Sequence, residues 1–218
     1  MRQRRIVIAG APHHVILRGN NRRRLFSYPR DYRLFLRLAA AASHEHCTDV
    51  HAYALMTNHV HLVATPRTAE ELSKFVKYIA QRYAQRRNRA RRATGKLFEQ
   101  RFWSEPVADE RALAEITVYV DLNPVRAGLV EAPEDYTWST ARYHLGVPIP
   151  GDLPRIWHPS RWYAQLGYTI GERAACYACC LHERDEATPP QTRTAAAEEL
   201  SPDQYTLRLR RPDGTSAK

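Results

Sequence analysis

The chain has 218 residues, 33 of them Lys or Arg against 23 Asp or Glu, for a formal net charge of +10. That length gives one domain of ordinary size with room for an appendage, and 44% hydrophobic residues in periodic runs exclude disorder throughout. Only Lys74, Lys77, Lys96 and Lys218 are lysine, so arginine carries the cation excess. Its planar fork of donors suits phosphate oxygens and base faces, and a polyanion, nucleic acid first, is the partner such a balance predicts. No apolar run reaches the roughly 20 residues that span a bilayer, so no membrane partner is expected and a cytoplasmic location is. Cys47, Cys176, Cys179 and Cys180 are too few and too clustered for a disulfide framework. The cluster of Cys176, Cys179 and Cys180 is expected as packed or otherwise bland thiols, because no second ligand pair follows at zinc-finger spacing.

In chain order, residues 15–18 read as a strand stopped by the turn signal Gly19-Asn20-Asn21. Leu34, Phe35, Leu38, Ala41 and Ala42 recur at helical spacing within residues 29–47. Residues 50–55 and 59–63 form two strands joined closely enough at Met56-Thr57-Asn58 to be a hairpin. Thr68 and Glu71 make a capping box before a helix whose buried stripe is Leu72, Phe75, Val76, Ile79 and Tyr83. A basic segment follows, with Gly95 breaking the helix before a strand within residues 98–107. Asp109 caps a third helix with the stripe Leu113, Ile116 and Val120, which Asn123-Pro124 ends or restarts. The first six elements predict an α+β fold: a ferredoxin-like split βαβ sandwich, an antiparallel sheet with helices on one face. Residues 1–150 are expected to form this domain, 151–181 a C-terminal helical extension (with one helix over 159–181) and 182–218 a flexible tail with a short strand at 205–209.

His59-Val60-His61 is the most telling local pattern. In a strand, alternate side chains share a face about 7 Å apart, so two imidazoles can converge on one divalent ion. Alone, such a pair is more often two ordinary histidines, and His13, His14, His44 and His46 are read that way. Tyr119 and Asn123, four apart, share a helix face beside the third helix's apolar stripe, at the edge of a helix–sheet interface. From spacing alone an amphipathic tyrosine and a capping asparagine remain the simpler account.

Several motifs in register change that balance. Met56-Thr57-Asn58-His59-Val60-His61-Leu62-Val63 resembles the histidine–hydrophobe–histidine motif of single-tyrosine transposases. The run from Tyr119 through Asn123-Pro124-Val125-Arg126-Ala127-Gly128 resembles the catalytic-tyrosine segment of the REP-associated tyrosine transposases. His14-Val15, Arg18-Gly19-Asn20-Asn21-Arg22, Leu97-Phe98, Arg101-Phe102 and Tyr136-x-Trp138-Ser139 match the same branch in the same order, covering roughly residues 5–145. The chain departs from the branch at Thr57, where proline is typical, and at Asp121, expected to face solvent.

The resemblance implies that His59, His61 and Asn123 bind Mg²⁺ or Mn²⁺ and that Tyr119 is the nucleophile. It implies a metal-dependent single-stranded DNA endonuclease and strand transferase that cleaves near DNA hairpins, REP-like palindromes, through a 5′-phosphotyrosine intermediate. Charge and resemblance together point to Arg18, Asn21, Arg22, Arg23, Arg24, Arg82, Arg86, Arg87, Arg89, Arg91, Arg92 and Arg101 as DNA-binding residues. Phe98 and Phe102 are expected in the core. A rolling-circle-initiator-like nickase and a catalytically silent nucleic-acid-binding regulator on the same fold stay open, as does the choice between monomer and homodimer. Residues 1–104 hold 21 basic and 6 acidic residues, so the cation excess belongs to the half with the histidine pair.

Overall fold

Alternate residues of the long strands fall on opposite faces of one sheet, and that alternation sets the architecture. The computed structural model describes residues 5–99 and 101–186. In chain order the elements are β1 (His13–Arg18), α1 (Pro29–Glu45), β2 (Thr48–Leu55), β3 (His59–Pro66), α2 (Ala69–Arg91), β4 (Trp103–Pro106), α3 (Glu110–Arg126), α4 (Ala141–His144), α5 (Arg161–Gln165) and α6 (Ile170–Glu186). The strands pair antiparallel in the order β2-β3-β1-β4, the split βαβ topology the sequence predicts. No helix among the described residues is long and apolar enough to cross a membrane.

Val15, Leu17, Val60 and Leu62 point to one face, where α1 supplies Phe35, Leu36 and Ala39 and α2 supplies Leu72, Phe75, Val76, Ile79 and Tyr83. These form the main core. The expected stripe of α2 and the Asp109 cap are both present: Asp109 accepts from the Ala112 amide at 2.7 Å. Glu71 accepts from the Thr68 amide at 3.3 Å, as a capping box requires. The two helices of the split βαβ unit thus share a face, while α3 covers the other. There Leu113, Ile116 and Val120 pack on Ala52, Ala54 and Val63. A β-bulge between Val50 and Ala52 makes this work. It reverses the alternation in β2, so Val50, Tyr53 and Leu55 enter the main core while the small Ala52 and Ala54 face α3.

The far side of α3 is also buried. Val118 and Leu122 pack with Tyr163, Tyr177 and Leu181 of α5 and α6. Asp121, expected to face solvent, lies here with 0% exposure. Thr140 Oγ1 donates to it at 2.7 Å, His144 Nδ1 at 2.7 Å and Tyr177 Oη at 2.8 Å. Trp157 Nε1 donates to His144 Nε2 at 3.2 Å, so the imidazole proton sits on Nδ1 and the neutral ring serves Asp121. Burial, then Asp121, pushes the Tyr177 phenol well above its ordinary value, so it stays a donor. Helical spacing turns Asp121 away from Tyr119, and the docking of α4 to α6 on that side is what buries it.

Two further expectations change, and one is narrowed. Pro124 lies inside α3, which runs one more turn to Arg126, because Ala127 and Gly128 close the helix on the Asn123 and Val125 carbonyls. The single helix expected over 159–181 is two, α5 and α6. Gly167 sits at the break, where a Cβ would come within 2.5 Å of the Glu172 Cβ and Glu172 accepts from the Tyr168 and Thr169 amides. Cys176 and Cys179 are exposed on α6 and Cys180 is partly buried there, so of the two readings these are bland rather than packed thiols. The strand expected at 205–209 and the tail beyond residue 186 lie outside the described residues.

Breaking the Asp121 network tests its weight. Asp121→Ala is expected to cost about 3 kcal/mol or more, and Tyr177→Phe about 2 kcal/mol, in urea unfolding of the full chain. Unchanged midpoints in both variants would remove the network from the supports of the fold.

Candidate active site

The register of β1 on β3 decides what gathers on the α3 side of the sheet. Arg18 pairs with His59, Ile16 with His61 and His14 with Val63, so Arg18, His59, His61 and His14 share that face. On the other side of β1, Trp103 and Glu105 of β4 pair with Ile16 and His14. Opposite His61 on β2 stands Ala54, which takes little room. Tyr119 enters from α3. Its ring centre lies 5.7 Å from that of His61 and 6.4 Å from that of His14, both edge to face. The two histidines of the motif are 4.8 Å apart, ring centre to ring centre. The structure therefore brings the predicted nucleophile and the predicted imidazole pair to one place.

His14 is the member that pattern reading passed over. Its Nε2 and His61 Nδ1 are 3.0 Å apart, one donating and one accepting, and the rings stack at 5.3 Å. Trp103 closes it edge-on at 5.3 Å. The signal that finds it is strand pairing: once residues 13–18 are laid antiparallel on 59–64, His14 falls on the histidine face.

Hydrogen bonds orient both motif rings. Asn58 Oδ1 accepts from His59 Nδ1 at 2.6 Å, so His59 presents Nε2 as its lone-pair nitrogen. His61 commits Nδ1 to His14 in the same way. Burial, first, and Arg18, second, hold His59 down to about 4, and burial holds His14 down to about 3. His61 is held well below its ordinary value by burial and by the neighbouring His59, His14 and Arg18. Neutral imidazoles with Nδ1 tied to the protein are the form that binds a divalent ion, so this donor set can hold one. Among the described residues no three His, Cys, Asp or Glu side chains group as an ion site. The further ligand the resemblance implies is an amide. Asn123, 3% exposed, lies one helical turn beyond Tyr119, and its Nδ2 donates to the Tyr119 carbonyl at 3.1 Å. The Arg126 guanidinium lies 5.5 Å from the Tyr119 ring centre, two turns along the same helix face. It sets a positive charge beside the ring.

The basic residues sort into two kinds. Arg22, Arg23 and Arg24 are exposed on the turn after β1, and Arg82, Arg86, Arg89, Arg92 and Arg101 are exposed as well. Arg87 differs: it is 6% exposed and donates to the Arg24 carbonyl at 2.6 Å, so it holds the turn rather than meeting solvent. Arg91 pairs with Asp31 at 3.2 Å, and Arg82 stacks over Tyr78 at 4.1 Å. Gly19 lets the turn fold back on Asn58. A Cβ there would sit 2.1 Å from the Arg23 carbonyl oxygen and 3.2 Å from that of Asn58. Asn21 and Arg22 are left-handed, with φ of 53° and 55°, a conformation asparagine tolerates and arginine adopts only when held. The arginine turn thus stands next to Asn58-His59.

The chain is similar to known proteins. The family model described as Transposase IS200 like matches residues 9–123. A Haemophilus influenzae protein assigned as a REP-associated tyrosine transposase is 25% identical over 132 residues, covering 56% of this chain and 74% of that one. The solved structure of a REP-associated tyrosine transposase bound to a REP hairpin superposes with a TM-score of 0.58 at 18% identity, covering 73% of this chain and 92% of that one. It shares the fold.

The buried histidines make a pH test of the apo protein. Unfolded, these rings take up protons near the ordinary value of 6.5, whereas folded His59 and His14 do so only near 4 and 3. Between those limits the unfolded state binds more protons, so stability falls as pH falls, by up to about 1.4 kcal/mol per pH unit for each ring. Urea midpoints in chelator are expected to drop from pH 7 to pH 5, and less steeply in His14→Asn. A parallel slope in that variant would place His14 in a wetter site.

Proposed function

The chain belongs to the IS200-like transposase family, and from that premise we propose that it is a metal-dependent single-stranded DNA endonuclease and strand transferase acting beside DNA hairpins of the REP type. One observation carries the reading: Tyr119 reaches the sheet where His59 and His61 present their oriented rings. The hairpin substrate is suggested by the REP-associated relatives and by the exposed arginines of the turn after β1.

His59, His61 and Asn123 are the residues to hold the ion. When bound, Mg²⁺ or Mn²⁺ supplies Lewis-acid polarisation and charge neutralisation at a phosphodiester. The chain does the rest. Arg18, beside His59, and the arginines of the neighbouring turn draw in and orient the phosphate. Tyr119 Oη forms a bond to phosphorus while the bond to the 3′ oxygen breaks. The phenol loses its proton and the departing oxygen gains one, leaving a 5′-phosphotyrosine and a free 3′-hydroxyl. Arg126 favours the negative charge on the attacking oxygen. The ester is conserved in energy, so a second 3′-hydroxyl can reverse the step and join a new strand. Asn58 keeps His59 in the tautomer that ligates.

The test is a hairpin-bearing single-stranded oligonucleotide incubated with Mg²⁺ or Mn²⁺ and resolved on a denaturing gel. A covalent adduct is expected with the parent protein, none with Tyr119→Phe or with chelator. His59→Ala is expected to lose the adduct while keeping most DNA affinity, and Asn58→Ala to raise the metal concentration needed by about tenfold or more. Binding without adduct under every condition would point to a regulator on the same fold.

A further inference from the structure

The residues directly opposite His61 in the sheet are Ile16 on β1 and Ala54 on β2, both apolar, so neither side chain offers an acceptor to its Nδ1. A diagonal neighbour meets that nitrogen instead. His14 pairs with Val63, two residues along β3 from His61, and diagonal pairs on one face of an antiparallel sheet lie about 7–8 Å apart, within reach of two rings. The His14 Nε2 comes to 3.0 Å from His61 Nδ1, and the two ring planes differ by only 9°. Trp103 of β4 meets His14 edge-on at 5.3 Å and Tyr119 of α3 does so at 6.4 Å, and the ring is 3% exposed. Two further elements thus hold it in place.

A third imidazole in such a centre could be a ligand, but its geometry gives it another part. A neutral imidazole carries one proton and one lone pair, on different edges of the ring. His14 aims Nε2 at the His61 ring, and among the described residues His14, His59 and His61 do not group as a three-ligand ion site. Between two neutral rings this contact holds one proton, which can sit on either side. With the proton on His14, His61 carries its own on Nε2 and has no lone pair for an ion. With the proton on His61 Nδ1, Nε2 is bare and can ligate, and a buried donor is satisfied.

We propose that His14 is a positioning residue of the ion site: its Nε2 accepts the Nδ1 proton of His61 and so holds His61 in the tautomer that presents Nε2 to a divalent cation. The inference rests on the reading that His59 and His61 hold an ion, and deepens it by giving β1 a part that the β3 motif does not contain. The two motif rings are then oriented by different means. His59 is served by the carboxamide of its own neighbour, Asn58, at 2.6 Å, and His61 by a ring from another strand. Without that ring, ligation by His61 would leave Nδ1–H facing Ile16 and Ala54.

The test reads ion binding and proton placement on the full chain, without DNA. Mn²⁺ is titrated in and the free ion is followed by electron paramagnetic resonance. His14→Phe, which keeps a ring between Trp103 and Tyr119 but carries no acceptor, is expected to weaken Mn²⁺ binding about 10–100-fold. His14→Gln, whose carboxamide oxygen can take the same proton, is expected to stay within about threefold of the parent. Long-range nitrogen–proton NMR spectra of the parent with Mg²⁺, with His61 assigned by its loss in His61→Gln, are expected to show the proton on Nδ1 and a bare Nε2. Should His14→Phe fail to fold, these spectra and His14→Gln still decide. A proton on His61 Nε2 in the loaded protein, parent-like binding in His14→Phe, or weak binding in His14→Gln overturns the role of His14 and leaves the ion site standing. No Mn²⁺ binding by the parent overturns the ion site and this role with it.

Discussion

The antiparallel pairing of β1 with β3 is the constraint on which the rest depends. β1 is an inner strand, bonded to β3 on one side and β4 on the other, so its register is held from both edges. A slip of one residue would turn Val15 and Leu17 out of the core and carry His14 and Arg18 in behind them. The apolar face that anchors α1 and α2 therefore also determines that three imidazoles and one guanidinium share the opposite face. Hydrophobic burial, worth roughly 1.5–3 kcal/mol for each large side chain fully enclosed, enforces the geometry of a polar centre it never touches.

The arginines show how one residue type is divided between architecture and ligand. Arg87 is nearly sealed and spends its fork on the Arg24 carbonyl, while Arg91 is tied to Asp31 at the start of α1. Arg87 lashes the end of α2 to the turn that carries Arg22, Arg23 and Arg24 outward, and Arg91 lashes it to α1. A charge run along a helix is therefore not one surface. Its members at helical spacing toward the protein hold a basic loop in place, and the rest project the field that attracts a polyanion.

Much of this was legible in the sequence because it depends on short-range patterns. Strand alternation, the Thr68 and Asp109 caps and the stripes of α2 and α3 report which face each element buries. The His59, His61 and Tyr119 assignments came from motifs whose spacing survives without knowledge of packing. What escaped was set by distant partners. His14 acquires its place only when β1 is laid on β3, and Asp121 is buried by residues 19 to 56 positions later. Pro124 was expected to end or restart its helix, but α3 needs only the amides beyond it to close the last turn. The division of α5 from α6 rests on a steric contact at Gly167 that periodicity does not register.

The Asp121 cluster gives the chain a direction of dependence. The helix that carries Tyr119 has both long sides occupied, one by the sheet and one by elements that leave the ribosome later. A polypeptide halted after Arg126 would hold the histidines, the tyrosine and the asparagine, yet carry a bare carboxylate two residues from Tyr119 with its three donors unsynthesised. Water would take their place, and the helix would lie loosely on the sheet. Completion of α6 is then the event that seats α3, so Tyr119 takes its fixed place beside the histidines only after the last helix has formed.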